Sequence, residues 1–132
     1  MRIIKFRGRD RWNGVWYYGS LFVKEISGRT HIFATAIECY EVDPETVGQF
    51  TGLMDKNGAE IYEGDIVEWE KDNRKYVVKF WEGMFYASVK EYNDDIFGGF
   101  PLHAFTQGDE GYRCEIVGNI HDNTELPKGG EQ

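Results

Sequence analysis

Apolar and polar residues alternate along much of the chain, in short runs separated by turn-forming residues. Because successive side chains of a strand point to opposite faces, this alternation is typical of β-strands. It predicts strands over 3–7, 15–24, 31–34, 37–42, 47–53, 60–62, 66–70, 76–81, 84–89 and 114–120. At most a short helical turn, at 123–126, is expected beside them. The pattern therefore predicts an all-β protein made of strands and hairpins.

Glycine, asparagine and aspartate lie between the predicted strands and indicate tight turns. Glu82-Gly83 separates two strands by two residues, which is the loop length preferred in β-hairpins. Gly19 lies inside a predicted strand, where glycine indicates a bulge or a close backbone approach. The residues that we assign to structural turns are Gly48, Gly52, Asn57, Gly58, Gly64 and Asp65.

The composition agrees with a folded β protein. Aromatic residues make up 16% of the 132 residues, and they pack well on the pleated surface of a sheet. This length fits one domain, which we place at residues 1–127, followed by a disordered tail at 128–132. The segment 93–111 is irregular, and we expect it to be mobile, to be functional or to cover an edge of the core.

Two cysteines, Cys39 and Cys114, lie far apart in the sequence and form no Cys-x-x-Cys pair. We expect two reduced, partly buried thiols, and a single bridge between them is the alternative. The chain has no apolar run near the ~20 residues that a membrane helix needs. Charges interrupt the apolar residues at the N-terminus, unlike in a signal peptide. We therefore expect a cytoplasmic protein with no membrane partner.

The net charge of −8 is unevenly distributed. Residues 1–37 hold seven basic and two acidic residues, a balance of +5, whereas the rest holds eight basic and 21 acidic residues, a balance of −13. An acidic surface repels phosphate, so the overall charge disfavours nucleic acid as a partner.

Basic and aromatic residues interleave near the N-terminus. In a strand, such residues can present guanidinium groups to phosphate and rings to bases. The structural alternatives are an edge strand whose charges prevent edge-to-edge pairing, or arginines that pair with the acidic part of the chain. The candidate interaction residues are Arg7, Arg9, Arg11, Trp12 and Trp16.

Several segments resemble the YopX family, and together they span nearly the whole chain. The central one is 44–53, followed by 55–58 and 61–67, and the others are 5–7, Tyr18-Gly19, Leu21 and 115–120. The resemblance implies a small all-β protein, encoded by phages or prophages, with a partly open SH3-like barrel and additional strands. It implies no catalytic residue, and the family has no established biochemical function.

The sequence contains no motif that indicates a reaction or a cofactor. It lacks a Gly-x-Ser-x-Gly elbow, a phosphate-binding loop and a dinucleotide fingerprint. Asp94-Asp95 and Asp109-Glu110 could hold a hard cation, but solvated carboxylates explain them more simply. His103 is a candidate general base with no neighbour in sequence that completes a site. We therefore expect no cofactor and no metal.

These observations favour a non-enzymatic phage or prophage accessory protein that binds a host or phage protein. The alternative is nucleic-acid binding through the basic N-terminal strand. An acidic mimic of DNA and a loop-based enzyme that uses His103 have weaker support. Self-association is a further expectation, because a small aromatic β domain often leaves one face to cover.

Overall fold

The computed structural model describes residues 3–70, 72–89, 99–106 and 113–122. Contacts divide the chain into two compact units, which we call unit 1 (1–52) and unit 2 (53–132). The described residues confirm the all-β prediction. The strands are β1 (Phe6–Arg9), β2 (Trp16–Val23), β3 (Thr30–Phe33), β4 (Cys39–Glu41), β5 (Gly48–Met54), β6 (Glu60–Tyr62), β7 (Asp65–Trp69), β8 (Lys75–Trp81), β9 (Met84–Val89), β10 (Phe100–Pro101) and β11 (Cys114–Asn119).

The strands of unit 1 form an antiparallel sheet in the order β4-β3-β2-β1-β5, where β5 begins in this unit. A 3-10 turn, Pro44–Thr46, leads into β5, and the side chain of Asp43 caps it by accepting a hydrogen bond from the Glu45 amide. The Thr46 hydroxyl accepts a hydrogen bond of 2.9 Å from the Arg9 amide. Asp43 and Pro44 therefore start one short turn, which is fixed to β1.

Gly19 confirms the close backbone approach that the sequence predicts. Its φ angle is 155°, and a Cβ atom at this position would lie 2.0 Å from the Phe33 carbonyl oxygen on β3. Gly8 on β1 is similar, because a Cβ there would lie 2.7 Å from the Val42 side chain. Because glycine has no Cβ atom, Gly19 lets β3 approach β2 closely and Gly8 lets the Val42 side chain approach β1.

The strands of unit 2 form an antiparallel sheet in the order β10-β9-β8-β7-β11. The β8–β9 hairpin has the predicted two-residue loop, and Glu82 and Gly83 both adopt positive φ angles, 49° and 82°. The core of this unit is apolar, and its buried members are Ile61, Val67, Tyr76, Val78, Ala87, Val89, Leu102 and Cys114.

One buried carboxylate links the turn after β5 to the last strand. Asp55 Oδ1 accepts hydrogen bonds from the amides of Asn57 and Ala59, both at 2.9 Å. Its Oδ2 accepts one from the Ile116 amide on β11 at 3.0 Å. Because Asp55 is buried, these hydrogen bonds compensate for the loss of its hydration.

The assigned turn residues have several different roles. Gly58 has a φ of 83° in the 55–58 turn, whereas Asn57 has no positive φ, so one residue rather than two needs this conformation. Gly64 has a φ of 96° and precedes Asp65, whose carboxylate accepts a hydrogen bond from the Tyr62 amide. The other two, Gly48 and Gly52, lie within β5.

The remaining sequence predictions concern the irregular segment, the C-terminus and the domain architecture. Segment 93–111 is more regular than predicted where it is described, because Phe100–Pro101 pairs with β9 and a short helix, α1 (Leu102–Thr106), follows. The turn at 123–126 and the tail at 128–132 lie outside the described residues. The SH3-like barrel and the single domain at 1–127 stay predictions.

The cysteines are both free thiols, with Cys39 exposed and Cys114 buried. Burial raises the pKa of the Cys114 thiol to about 12, and Asp55 adds to this effect. None of the helices in the described ranges is long and apolar enough to cross a membrane.

Candidate binding groove in unit 1

The predicted basic strand places two arginines over one tryptophan. Arg9 lies opposite Trp16 in the β1–β2 ladder, and Arg7 lies opposite Tyr18. The guanidinium carbons of Arg7 and Arg9 are 4.7 Å and 5.8 Å from the centroid of the Trp16 ring. This is the distance range of cation–π attraction. Trp16 therefore contacts these two arginines within the sheet.

The turn between β1 and β2 positions the next tryptophan. The Asp10 side chain accepts hydrogen bonds from the amides of Trp12 and Asn13, at 2.8 Å and 3.1 Å. The Gly14 amide donates to the Asp10 carbonyl, and Gly14 adopts a φ of 74°. This Asp-centred turn leaves the Trp12 side chain 70% exposed.

A groove of about 200 Å³ lies next to this turn. The hairpin between β2 and β3 contributes one wall, and the segment after β4 contributes another. A hydrogen bond from the Val42 amide to the Thr30 carbonyl, at 2.9 Å, joins the β3 and β4 sides. The lining residues are Arg11, Trp12, Gly28, Arg29, Thr30, Glu41, Val42 and Pro44.

Two ion pairs lie at this groove. Arg11 is 3.9 Å from Asp43, and Arg29 is 3.8 Å from Glu41, measured between the nearest nitrogen and oxygen. These distances exceed the 2.7–2.9 Å or so of a charge-assisted hydrogen bond. Both arginine side chains are largely exposed, so each pair is a weak, solvent-screened interaction.

Two of the five candidate interaction residues lie at the groove. Arg11 and Trp12 line the groove, with the Arg11 guanidinium carbon 5.8 Å from the centroid of the Trp12 ring. Arg7, Arg9 and Trp16 are not among the lining residues, and Arg7 is only 5% exposed. The observed strand β1 ends at Arg9, so Arg11 lies outside the basic N-terminal strand.

Sequence reasoning did not identify Arg29 and Glu41 as part of a site. They meet because Val23 pairs with Thr30 and His31 pairs with Glu41 in two successive hairpins. The sequence signal that could have identified Arg29 is the Ser27-Gly28 turn, because Arg29 follows this turn and directly precedes β3.

The candidate general base lies on the short helix of unit 2. His103 lies exposed on α1. Across the ranges that the structure describes, no three His, Cys, Asp or Glu side chains converge as a metal site would require. The carboxylate pairs at 94–95 and 109–110 lie outside those ranges.

Comparison with known proteins supports the resemblance on which the fold prediction depended. The family model described as YopX protein matches residues 5–128. The chain belongs to the YopX family. A crystal structure of the protein EF1440 from Enterococcus faecalis is similar to this YopX chain, with a TM-score of 0.55 and 24% identity. The similarity covers 96% of this chain and 99% of that one, and it shows the fold alone. No curated protein sequence matches the chain significantly.

Proposed function

We propose that this YopX-family protein is a non-enzymatic accessory protein of phage or prophage origin that binds a protein partner. The observation that carries the proposal is an exposed tryptophan, Trp12, beside a groove lined by Arg11 and Arg29. Tryptophan and arginine provide a large share of the binding energy in protein interfaces. Trp12 also leaves a large apolar surface in water, which a partner would cover.

Two observations favour a protein over nucleic acid as the partner. Binding to a phosphate backbone needs several accessible cations, but Arg7 is buried, and it lies over Trp16 together with Arg9. In addition, the net charge of −8 repels an extended phosphate backbone. Arg11 and Trp12 remain as the accessible pair for the second candidate function, which is nucleic-acid binding.

A cytoplasmic location is part of the proposal. Cys39 is an exposed free thiol, and cytoplasmic thiols stay reduced. Exposed free thiols are less compatible with an oxidising compartment, where they form mixed disulfides.

Affinity capture with matched variants tests the protein-partner proposal. The full chain, its Trp12→Ala variant and an Ile26→Ala control are immobilised and exposed to lysate of a bacterial host. Ile26 is a fully exposed apolar residue of the same unit that does not line the groove. We expect one protein to bind the wild type and the control, and to bind Trp12→Ala at least tenfold less.

Equal capture by all three forms would contradict a role for the groove. Capture of nucleic acid that is lost in Trp12→Ala would support the second candidate function instead. Light scattering of the purified chain addresses self-association, because a second copy as the partner would give a dimer that the same variant dissociates.

A further inference from the structure

We infer that the groove in unit 1 binds an acidic segment of the partner, with a carboxylate between Arg11 and Arg29 and an adjacent apolar side chain against Trp12. This inference rests on the proposed function, and it adds the chemistry of the ligand. It follows from three features of unit 1, which are the geometry of the ion pairs, the charge balance and the size of the groove.

The guanidinium groups can still donate hydrogen bonds to a ligand. Arg11 and Arg29 approach Asp43 and Glu41 only to 3.9 Å and 3.8 Å, which is too long for hydrogen bonds. Their side chains are 49% and 66% exposed, so water solvates their N–H donors. A ligand carboxylate can accept two parallel hydrogen bonds from one guanidinium fork and a further hydrogen bond from the other guanidinium, and this geometry is stronger than the existing pairs.

The charge balance directs an acidic ligand to unit 1. Residues 1–52 hold seven basic and six acidic residues, whereas residues 53–132 hold eight basic and 17 acidic residues. The balances are therefore +1 and −9. An acidic segment is repelled by unit 2, whereas two arginines and one glutamate line the groove of unit 1, a local balance of +1.

The groove is small and partly apolar. Its volume of about 200 Å³ is below the range of about 300–1,000 Å³ that is usual for cofactor and drug-sized ligands. Pro44 and the exposed Trp12 supply apolar surface to the groove, whereas Val42, which also lines it, is buried. This combination suits one or two side chains of a peptide, one charged and one apolar.

Nuclear magnetic resonance titration of the full-length, 15N-labelled chain tests the inference. The probes are the peptides acetyl-Glu-Phe-Glu-amide and acetyl-Gln-Phe-Gln-amide, which differ only in charge. The indole resonance of Trp12, assigned with Trp12→Phe, reports binding. We expect a saturable shift with the glutamate peptide and a response at least fivefold weaker with the glutamine peptide.

Variants locate the carboxylate. We expect Arg11→Gln and Arg29→Gln each to lower the affinity for the glutamate peptide at least fivefold. Arg11→Lys should also lower this affinity, because lysine cannot donate two parallel hydrogen bonds as the guanidinium fork does. Lys24→Gln is the matched control, since Lys24 is an exposed cation of the same unit that does not line the groove. An unchanged affinity in both arginine variants would overturn the inference.

Two further probes distinguish other anions. The phosphate oxygens of inorganic phosphate and of an oligothymidine hexamer can accept hydrogen bonds from guanidinium groups, as a carboxylate does. A stronger response to either than to the glutamate peptide would overturn the acidic-segment assignment. If neither peptide shifts Trp12 while capture of a protein still depends on Trp12, the ligand chemistry is wrong and the proposed function stands. If neither peptide shifts Trp12 and protein capture does not depend on Trp12, both proposals are overturned.

Discussion

Trp69 in unit 2 and Trp12 in unit 1 both follow a charged residue in the sequence, yet their surroundings differ. Trp69 lies on β7 opposite Cys114, and its ring centroid is 5.6 Å from that of Phe100 and 6.4 Å from that of Tyr76. Trp12 lies in a turn, with 70% of it exposed. The comparison shows that the neighbours a residue has in the fold, rather than its type, decide whether an aromatic side chain stabilises the core or stays available for binding.

The cysteines show the same contrast and give the largest expected effect. At pH 8 we expect exposed Cys39 to react with a disulfide reagent about a thousandfold faster than Cys114. Cys114 is buried and its pKa is raised to about 12, so very little of it is the reactive thiolate. Absorbance should show one fast thiol per chain, and a second only after denaturation.

The single-cysteine variants assign the two phases. Cys39→Ser should remove the fast phase, and Cys114→Ala should leave it unchanged. Two fast thiols in the folded wild type would contradict the burial of Cys114.

Substituting each tryptophan tests the comparison directly. We expect Trp69→Ala to lower the free energy of unfolding by about 3 kcal/mol, because it removes a large ring packed against the core. Trp12→Ala should change it by about 0.5 kcal/mol or less, since its ring is mostly in water. Urea unfolding measures both values. Similar losses in the two variants would mean that Trp12 is structural.

Two aspartates that cap turns provide a smaller contrast. Asp55 is buried and accepts three amide hydrogen bonds, one from Ile116 on a distant strand. We expect Asp55→Asn to lower the free energy of unfolding by about 2 kcal/mol, because an amide replaces an acceptor oxygen by a donor.

Asp10 is the matched control in unit 1. Its side chain accepts hydrogen bonds from two amides within its own turn and is partly exposed. Asp10→Asn should therefore lower the free energy of unfolding by about 0.5–1 kcal/mol. Urea unfolding at pH 7 separates the two variants. An equal loss in both would argue against the link from the Asp55 turn to β11.

The sequence was sufficient to predict every strand except β10 because alternation and turn chemistry are local. The two-residue loop at Glu82-Gly83 and the close approach at Gly19 follow from residue types alone. The family resemblance rested on the same local residues. These signals place strands along the chain, and they contain no information on how distant strands curve toward each other.

The groove could be predicted only in part. Arg11 and Trp12 attract notice as a basic and aromatic pair, but Arg29 and Glu41 join them through the register of β2, β3 and β4, which residue types alone do not fix. The sequence also grouped Arg7 with Arg11 as candidate interaction residues. β1 ends at Arg9 because the Asp10 turn begins directly after the strand, and Arg7 is buried with its guanidinium over Trp16.

The smallest expected effect concerns Arg11, and it decides whether the groove can be tested cleanly. Arg11 contacts Asp43 at 3.9 Å with half of its side chain exposed, and such ion pairs contribute about 0.5 kcal/mol or less. We expect Arg11→Gln to change the urea midpoint very little and the circular dichroism spectrum not at all. A loss above about 1.5 kcal/mol would make Arg11 structural. If the variant is as stable as the wild type, any loss of ligand binding comes from the missing guanidinium, because the walls of the groove are unchanged.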